Sequence, residues 1–426
     1  MNNNPVELRD FYLLWSTQSL SQLGSAMTSF ALTLWLYEKT GSALSTAMLS
    51  ICSYAPYVLM SIFAGAITDR LDKKKTMLAC DIFAAACTVL ILVLYKTDRL
   101  CVWHLYAVNA LSGLMNTVQQ PASEVAYTLV IPKAQYQKTG GLQSLSRSLI
   151  SIGNPLIAAA VYGAAGLEAV ITVDLLTFAA AFVTLAFFIP IPEVTAGAGN
   201  EEKLITLAEE GLQFLKKNPL VLHVILFMAG VNLIASAFDA VLPALVIPLR
   251  GNGVLGIVTS CSGLAMVLGS LLATVMKKPR DRVRVIYRSM LFALGIENFV
   301  LAFSRNPLWW CIGQIVGWIL VPVMSANQNV IMRNSIPVEL QGRVYACRNT
   351  LQFFTIPIGL SLGGFFVDEV CEPFMAARAP DSLPVLLFGS GKGSGAALMM
   401  FVLGVSGVLF CLAYGQILKR YRYDDA

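Results

Sequence analysis

The sequence predicts an all-α, polytopic membrane protein of twelve transmembrane helices in two six-helix bundles, on three observations. Of its 426 residues, 56% are hydrophobic and only 13% are charged, about half the roughly 25% charged fraction of soluble domains. The apolar residues fall into runs near the ~20 that cross a bilayer as a helix. Short charged blocks separate the runs. The densest follows Gly65 and carries six charges between Asp69 and Lys75. Each of these side chains would cost roughly 2.5 to 3.5 kcal/mol at the bilayer centre, so the chain must surface there.

Taken in order, the predicted spans are residues 11–37, 44–67, 76–95, 102–119, 141–162 and 167–189, then 220–248, 254–276, 285–303, 308–326, 350–367 and 396–418. The first run is too long for a signal-peptide core, so it is expected as an uncleaved helix. Twelve spans put both termini on one side. With that side cytoplasmic, inner segments, counted with Arg147 and Arg288 at the inner ends of their spans, hold 23 of the 30 Lys and Arg residues and outer segments 7, as the positive-inside rule requires. The formal charge of +5 therefore speaks for loops facing anionic lipid and against a nucleic-acid partner.

Three regions follow: a first bundle over residues 1–189, a linker over 190–217 and a second bundle over 218–426. Leu204, Leu207, Gly211, Phe214 and Leu215 share one face at helical spacing, so the linker is read as an amphipathic helix on the cytoplasmic membrane surface, or as a covalent tether. Ile131-Pro132 after the fourth span recurs 205 positions later as Ile336-Pro337 after the tenth. Two halves repeated in parallel are the pattern of a transporter that holds substrate between them near the membrane midplane.

Polar residues interrupt three early spans at intervals of three and four. Gln18 and Gln22 lie on the first, Asn109 and Asn116 on the fourth, and Asn232 on the seventh. Such stripes either line water or join helices, and three in equivalent positions favour a shared cavity. Ionisable groups inside spans are rare and by default functional. Asp239 continues the seventh-span stripe and Glu297 stands in the ninth span beside Asn298. Both are candidates to carry a coupled proton, whereas Asp174 in the sixth span serves helix packing as readily.

Other patterns are set aside. Nine cysteines show no metal-ligand spacing and read as small apolar packers. His104 and His223 read as lone interfacial residues. Gly389-Ser390-Gly391-Lys392-Gly393-Ser394-Gly395 imitates a phosphate loop but lacks the hydroxyl residue after its lysine, so it is expected as a flexible outer loop. No paired-carboxylate, Ser-His-Asp or Cys-His arrangement supports an enzyme.

Gly65-x-x-x-Asp69-Arg70-x-x-Lys73-Lys74 after the second of twelve helices resembles the signature loop of the major facilitator superfamily, and the likeness covers the whole chain. Trp15-x-x-Gln18-x-x-Ser21-x-x-Gly24-Ser25, Leu34-Trp35-x-Tyr37-x-x-Thr40-Gly41-Ser42, Pro337-x-x-x-x-Gly342-Arg343-Val344 and Cys371-Glu372-Pro373-Phe374-Met375 resemble its bacterial macrolide efflux permeases. The resemblance implies the major facilitator fold in a bacterial plasma membrane, and a monomer without cofactor or metal. It also implies export of a small amphiphilic compound by alternating access as protons enter. Exporters of a siderophore or peptide, a lipid-handling permease and a transport-dead membrane sensor are the alternatives.

By the same resemblance, Gly65, Asp69, Arg70, Lys73, Glu124 and Arg343 form a cytoplasmic gate. Asp69 would meet the start of the eleventh helix and Lys73 would pair with Glu124. Asp72 replaces the family's usual glycine in this loop. Asn154-Pro155 stands where the family's antiporters carry Gly-Pro and is expected to bend the fifth helix. In the second half, Lys277 to Arg284 keeps the charge of the signature loop and loses its spacing.

Overall fold

The computed structural model describes residues 9–131, 136–191 and 204–421, and within them all side chains but those of 61–70, 136–138, 204–208, 338, 339, 342 and 346. Every regular element described is helical. In order they are α1 (Arg9–Thr40), α2 (Ala43–Arg70), α3 (Lys73–Lys96), α4 (Val102–Val130), α5 (Tyr136–Val183), α6 (Leu204–Lys217), α7 (Pro219–Val275) and α8 (Arg282–Phe303). There follow α9 (Pro307–Ile319), α10 (Val321–Ser335), α11 (Val338–Phe353), α12 (Thr355–Phe365), α13 (Glu372–Ala376), α14 (Leu383–Phe388) and α15 (Ser394–Leu418). Among the described residues, eight helical stretches are long and apolar enough to cross a membrane.

Two helices are too long for one crossing. At about 1.5 Å per residue, the 48 residues of α5 and the 57 of α7 far exceed a hydrocarbon core of about 30 Å. Each holds one residue outside helical geometry, Gly166 with φ 76° and ψ −175° and Gly251 with φ 79° and ψ 176°. That backbone region is nearly closed to residues with a Cβ, which is why glycine stands at both points. Pro155 lies inside α5, where only Gly166 departs from helical dihedrals.

Several boundaries differ from the sequence reading. Helix α4 runs on to Val130 through Pro121, past the expected end at 119, because the preceding turns and the packing of Ala122 and Ala126 hold it. The charged hinge after α2 shrinks to Leu71 and Asp72. Asp72 caps α3, its Oδ1 accepting the Lys75 backbone N–H at 2.7 Å, so this acid has a local structural task. Asp281 does the same for α8 through the Arg284 N–H at 2.9 Å. The second half thus keeps the cap of the charged block although its spacing is lost.

The chain forms two compact units. Unit 1 comprises Met1–Trp35 and Cys52–Glu201. Leu14, Met77, Ala122, Ala126, Leu185 and Ile189 form a core between its helices. Gly113 lets α4 lie on α2, since a Cβ there would strike the Ser53 carbonyl.

Unit 2 comprises Leu36–Ile51 and Glu202–Ala426. Here the second half of α6 packs against protein. Leu215 is buried with Val221, Ile225, Met332, Ile336 and Val344, Gly211 lies against the Arg343 carbonyl, and Glu210 pairs with Arg343. Gly211 and Leu215 thereby face α11 and the start of α7. Burying a leucine from water in this way contributes about 1.5 to 3 kcal/mol.

The glycine-rich stretch before α15 is tied down where a flexible loop was expected. Arg305 donates to the carbonyls of Phe388 and Ser390, and Glu372 Oε1 accepts the Gly393 N–H at 2.9 Å. Burial pulls the Arg305 guanidinium below its ordinary value, and the nearby Glu372 carboxylate opposes that. Asp368 also caps α2, accepting Ser42 Oγ at 2.7 Å and the N–H groups of Ala43 and Leu44 at 3.0 and 2.9 Å. All nine cysteines are free and only Cys101 is exposed, its Sγ 3.2 Å from His104 Nδ1. His223 bonds Tyr414 at 3.0 Å, so neither histidine is alone.

Candidate functional site

Unit 2 holds both acids singled out in the sequence. Asp239 stands on α7 with its side chain exposed. Glu297 stands on α8 and is only 6% exposed, and the two carboxyls are electrostatic neighbours. Trp318 of α9 donates its indole N–H to Glu297 Oε1 at 3.0 Å. Gly317 leaves the room that this carboxyl fills, since a Cβ there would collide with it. Asn298 is fully buried. Its Nδ2 serves the Leu294 carbonyl at 2.8 Å and its Oδ1 has no partner. The result is a polar site with one accessible and one enclosed carboxyl, an arrangement chemically suited to taking up a proton or a cation.

The polar stripes divide between two tasks. Asn232 Nδ2 donates to the Gln352 carbonyl at 2.9 Å, and Gln328 Nε2 to Gln352 Oε1 at 3.2 Å, which ties α7, α10 and α11 together. In unit 1, Gln18 is buried and Asn109 bonds the Leu105 carbonyl of its own helix at 2.9 Å. Gln22 and Asn116 are exposed. Asp174 accepts Ser25 Oγ at 3.0 Å, linking α5 to α1.

Unit 1 also holds an acid that the sequence reading missed. Asp81 of α3 is 8% exposed and accepts Gln119 Nε2 of α4 at 2.6 Å, with the Gln18 amide of α1 beside it. Its sequence signal is an Asp inside the apolar run 76–95. Trp318, Gln328 and Gln352 were missed as well, because a donor on a neighbouring helix leaves no mark in local spacing.

Of the gate candidates, Gly65, Asp69 and Arg70 end α2 with their side chains outside the described residues. Lys73 is buried and its Nζ donates to the Leu71 carbonyl at 2.8 Å. Glu124 is exposed on α4, and Arg343 meets Glu210 of α6. Asn154 has a buried Oδ1 without a partner beside Pro155. Among the described residues no group of three or more His, Cys, Asp or Glu side chains could hold a metal ion.

Comparison with known proteins agrees with this membrane architecture. The sequence matches the Major Facilitator Superfamily over residues 14–360. Macrolide efflux protein A of Streptococcus pyogenes is 28% identical over 367 residues, covering 84% of this chain and 90% of that protein. The Multidrug efflux pump Tap of Mycolicibacterium fortuitum is 24% identical over 388 residues, covering 86% and 90%. Among solved structures, a bacterial homolog of the human lysosomal transporter Spinster, inward-facing and occupied, superimposes with a TM-score of 0.73 at 13% identity over 100% of both chains. At that identity the likeness concerns the fold.

Proposed function

Because the chain belongs to the major facilitator superfamily, we propose that it is a proton-coupled exporter of amphiphilic, macrolide-like compounds that works by alternating access and not as an enzyme. The observation that carries the coupling is the pair of Asp239 and Glu297, neighbouring carboxyls on two helices of unit 2, one accessible and one enclosed. The efflux relatives support the direction and the substrate class. Twelve crossings in two bundles, 1–189 and 218–426 with the 190–217 linker, follow if α5 and α7 each turn back at Gly166 and Gly251 and if α1 and α4 also cross. Both termini then face the cytoplasm of a bacterium, and the monomer is the working unit. Gln22 and Asn116 would line the substrate path, and Asp69, Lys73, Glu124 and Arg343 would close it on the inner side.

The test is transport into inverted membrane vesicles, with erythromycin and ethidium as probes, with and without an imposed proton gradient. Wild type should accumulate the probes only when the gradient is present. Asp239→Asn and Glu297→Gln should each lower gradient-driven uptake by about tenfold or more, as expected when a group needed in one step is removed, at unchanged expression. Undiminished, pH-dependent uptake in both variants would remove the assignment.

A further inference from the structure

Asp81 lies outside the pair that carries coupling, yet it is as enclosed as Glu297. It stands on α3, nine positions after the capping Asp72. The groups acting on its carboxyl among the described residues are Gln119 of α4, donating at 2.6 Å, and Gln18 of α1, and the carboxyl in turn acts on the adjacent Cys80 thiol. Gln18 is only 7% exposed and its Nε2 finds no hydrogen-bond partner.

Among the described side chains, the charged groups on α3, α4 and α5 are engaged elsewhere or exposed. Lys73 and Lys74 sit on backbone carbonyls, Lys75 on Asp72 and Lys96 on Glu168. Asp174 holds Ser25, Arg147 acts on Tyr127, and Glu124 is exposed.

A carboxyl kept permanently ionised in such a place calls for a basic partner. Carboxamides are partners of another kind. Their N–H₂ donates to a carboxylate, and after a half-turn their C=O accepts from a carboxylic acid. Two glutamines can therefore satisfy either protonation state by rotating side chains, without backbone movement. Unit 2 repeats the theme, with Glu297 buried on α8 and given an N–H by the next helix through Trp318. An indole only donates, so the unit 1 site is the more even-handed of the two. Its enclosure leaves room for a proton and not for an organic cation.

We propose that Asp81 is the centre of a second proton-exchanging site of this transporter, with Gln18 and Gln119 as the positioning amides that hold both its states. The step is the making and breaking of one carboxyl O–H bond, with the proton arriving from water and returning to it. The proposal rests on the proton-coupled reading for its purpose, and its test stands apart from transport.

Infrared difference spectra between acid and alkaline pH would be recorded on the purified full-length protein in lipid nanodiscs. Wild type should show protonated-carboxyl C=O bands, and Asp81→Asn should lose one that Asp239→Asn and Glu297→Gln keep. Gln18→Leu and Gln119→Leu retain the carboxyl and should displace that same band and the pH midpoint of vesicle uptake of ethidium. They carry the test should Asp81→Asn fold poorly. An unchanged spectrum in Asp81→Asn, or an undisplaced band in both glutamine variants, would overturn the proposal. So would loss of the Asp81 band on adding ethidium at constant pH, which would mark a cation site. If wild-type uptake ignores the proton gradient while the Asp81 band behaves as described, the coupled-export reading falls and proton exchange at Asp81 stands.

Discussion

Asp239 and Glu297 are legible in the sequence because each interrupts a long apolar run, where an ionisable side chain costs enough to need a reason. Asp81 interrupts one too. It follows the Lys73–Lys75 cluster by six positions, and what marks it out is its enclosure between α3 and α4, which only the structure shows. Partners such as Gln119 and Trp318 are illegible for a different reason, since they approach from other helices and sequence spacing reports only neighbours on the same one. The gate belongs to this scale as well. If Lys73 and Glu124 pair during the cycle, Lys73→Glu and Glu124→Lys should each slow ethidium efflux from cells, and the double exchange should recover it by about 0.5 to 3 kcal/mol of coupling. A double variant no faster than the slower single one would dissolve the pair.

Among the elements, the capped starts of α3 and α8 show a repeat that the lost spacing of the charged block hides. Asp72 and Asp281 perform one task, accepting the backbone N–H three residues on, within blocks whose charge order differs. Helix α6 shows the converse. Its amphipathic pattern was readable, but periodicity cannot tell lipid from protein as the covering surface, and Glu210, Gly211 and Leu215 chose α11 and α7. The breaks in α5 and α7 rest on single glycines, so Gly251→Ala should cost about 1 to 3 kcal/mol and lower the thermal midpoint in detergent. Gly253→Ala is the control, for a Cβ there meets nothing within 4 Å. Equal midpoints for the two would contradict the backbone argument.

For the whole molecule, the number and rhythm of the apolar runs and the 23-to-7 division of Lys and Arg made the membrane class plain without any motif. They could not show that Leu36–Ile51 groups with the second unit. That grouping depends on Ala47 packing with Ala240 and Leu360 and on Asp368 reaching Ser42, contacts between residues 193 to 326 positions apart. Neither could they show that Arg305 and Glu372 bind the glycine-rich stretch, because both lie far from it in sequence.

Cys101 has a practical meaning beyond its place at the start of α4. As the exposed thiol of the nine, in a turn assigned to the outer face, it equips the unmodified protein with a chemical reporter of sidedness. A membrane-impermeant maleimide added to living cells should tag the wild-type chain, and Cys101→Ser should stay dark. Tagging that waits for the cells to be opened would turn the whole topology inside out.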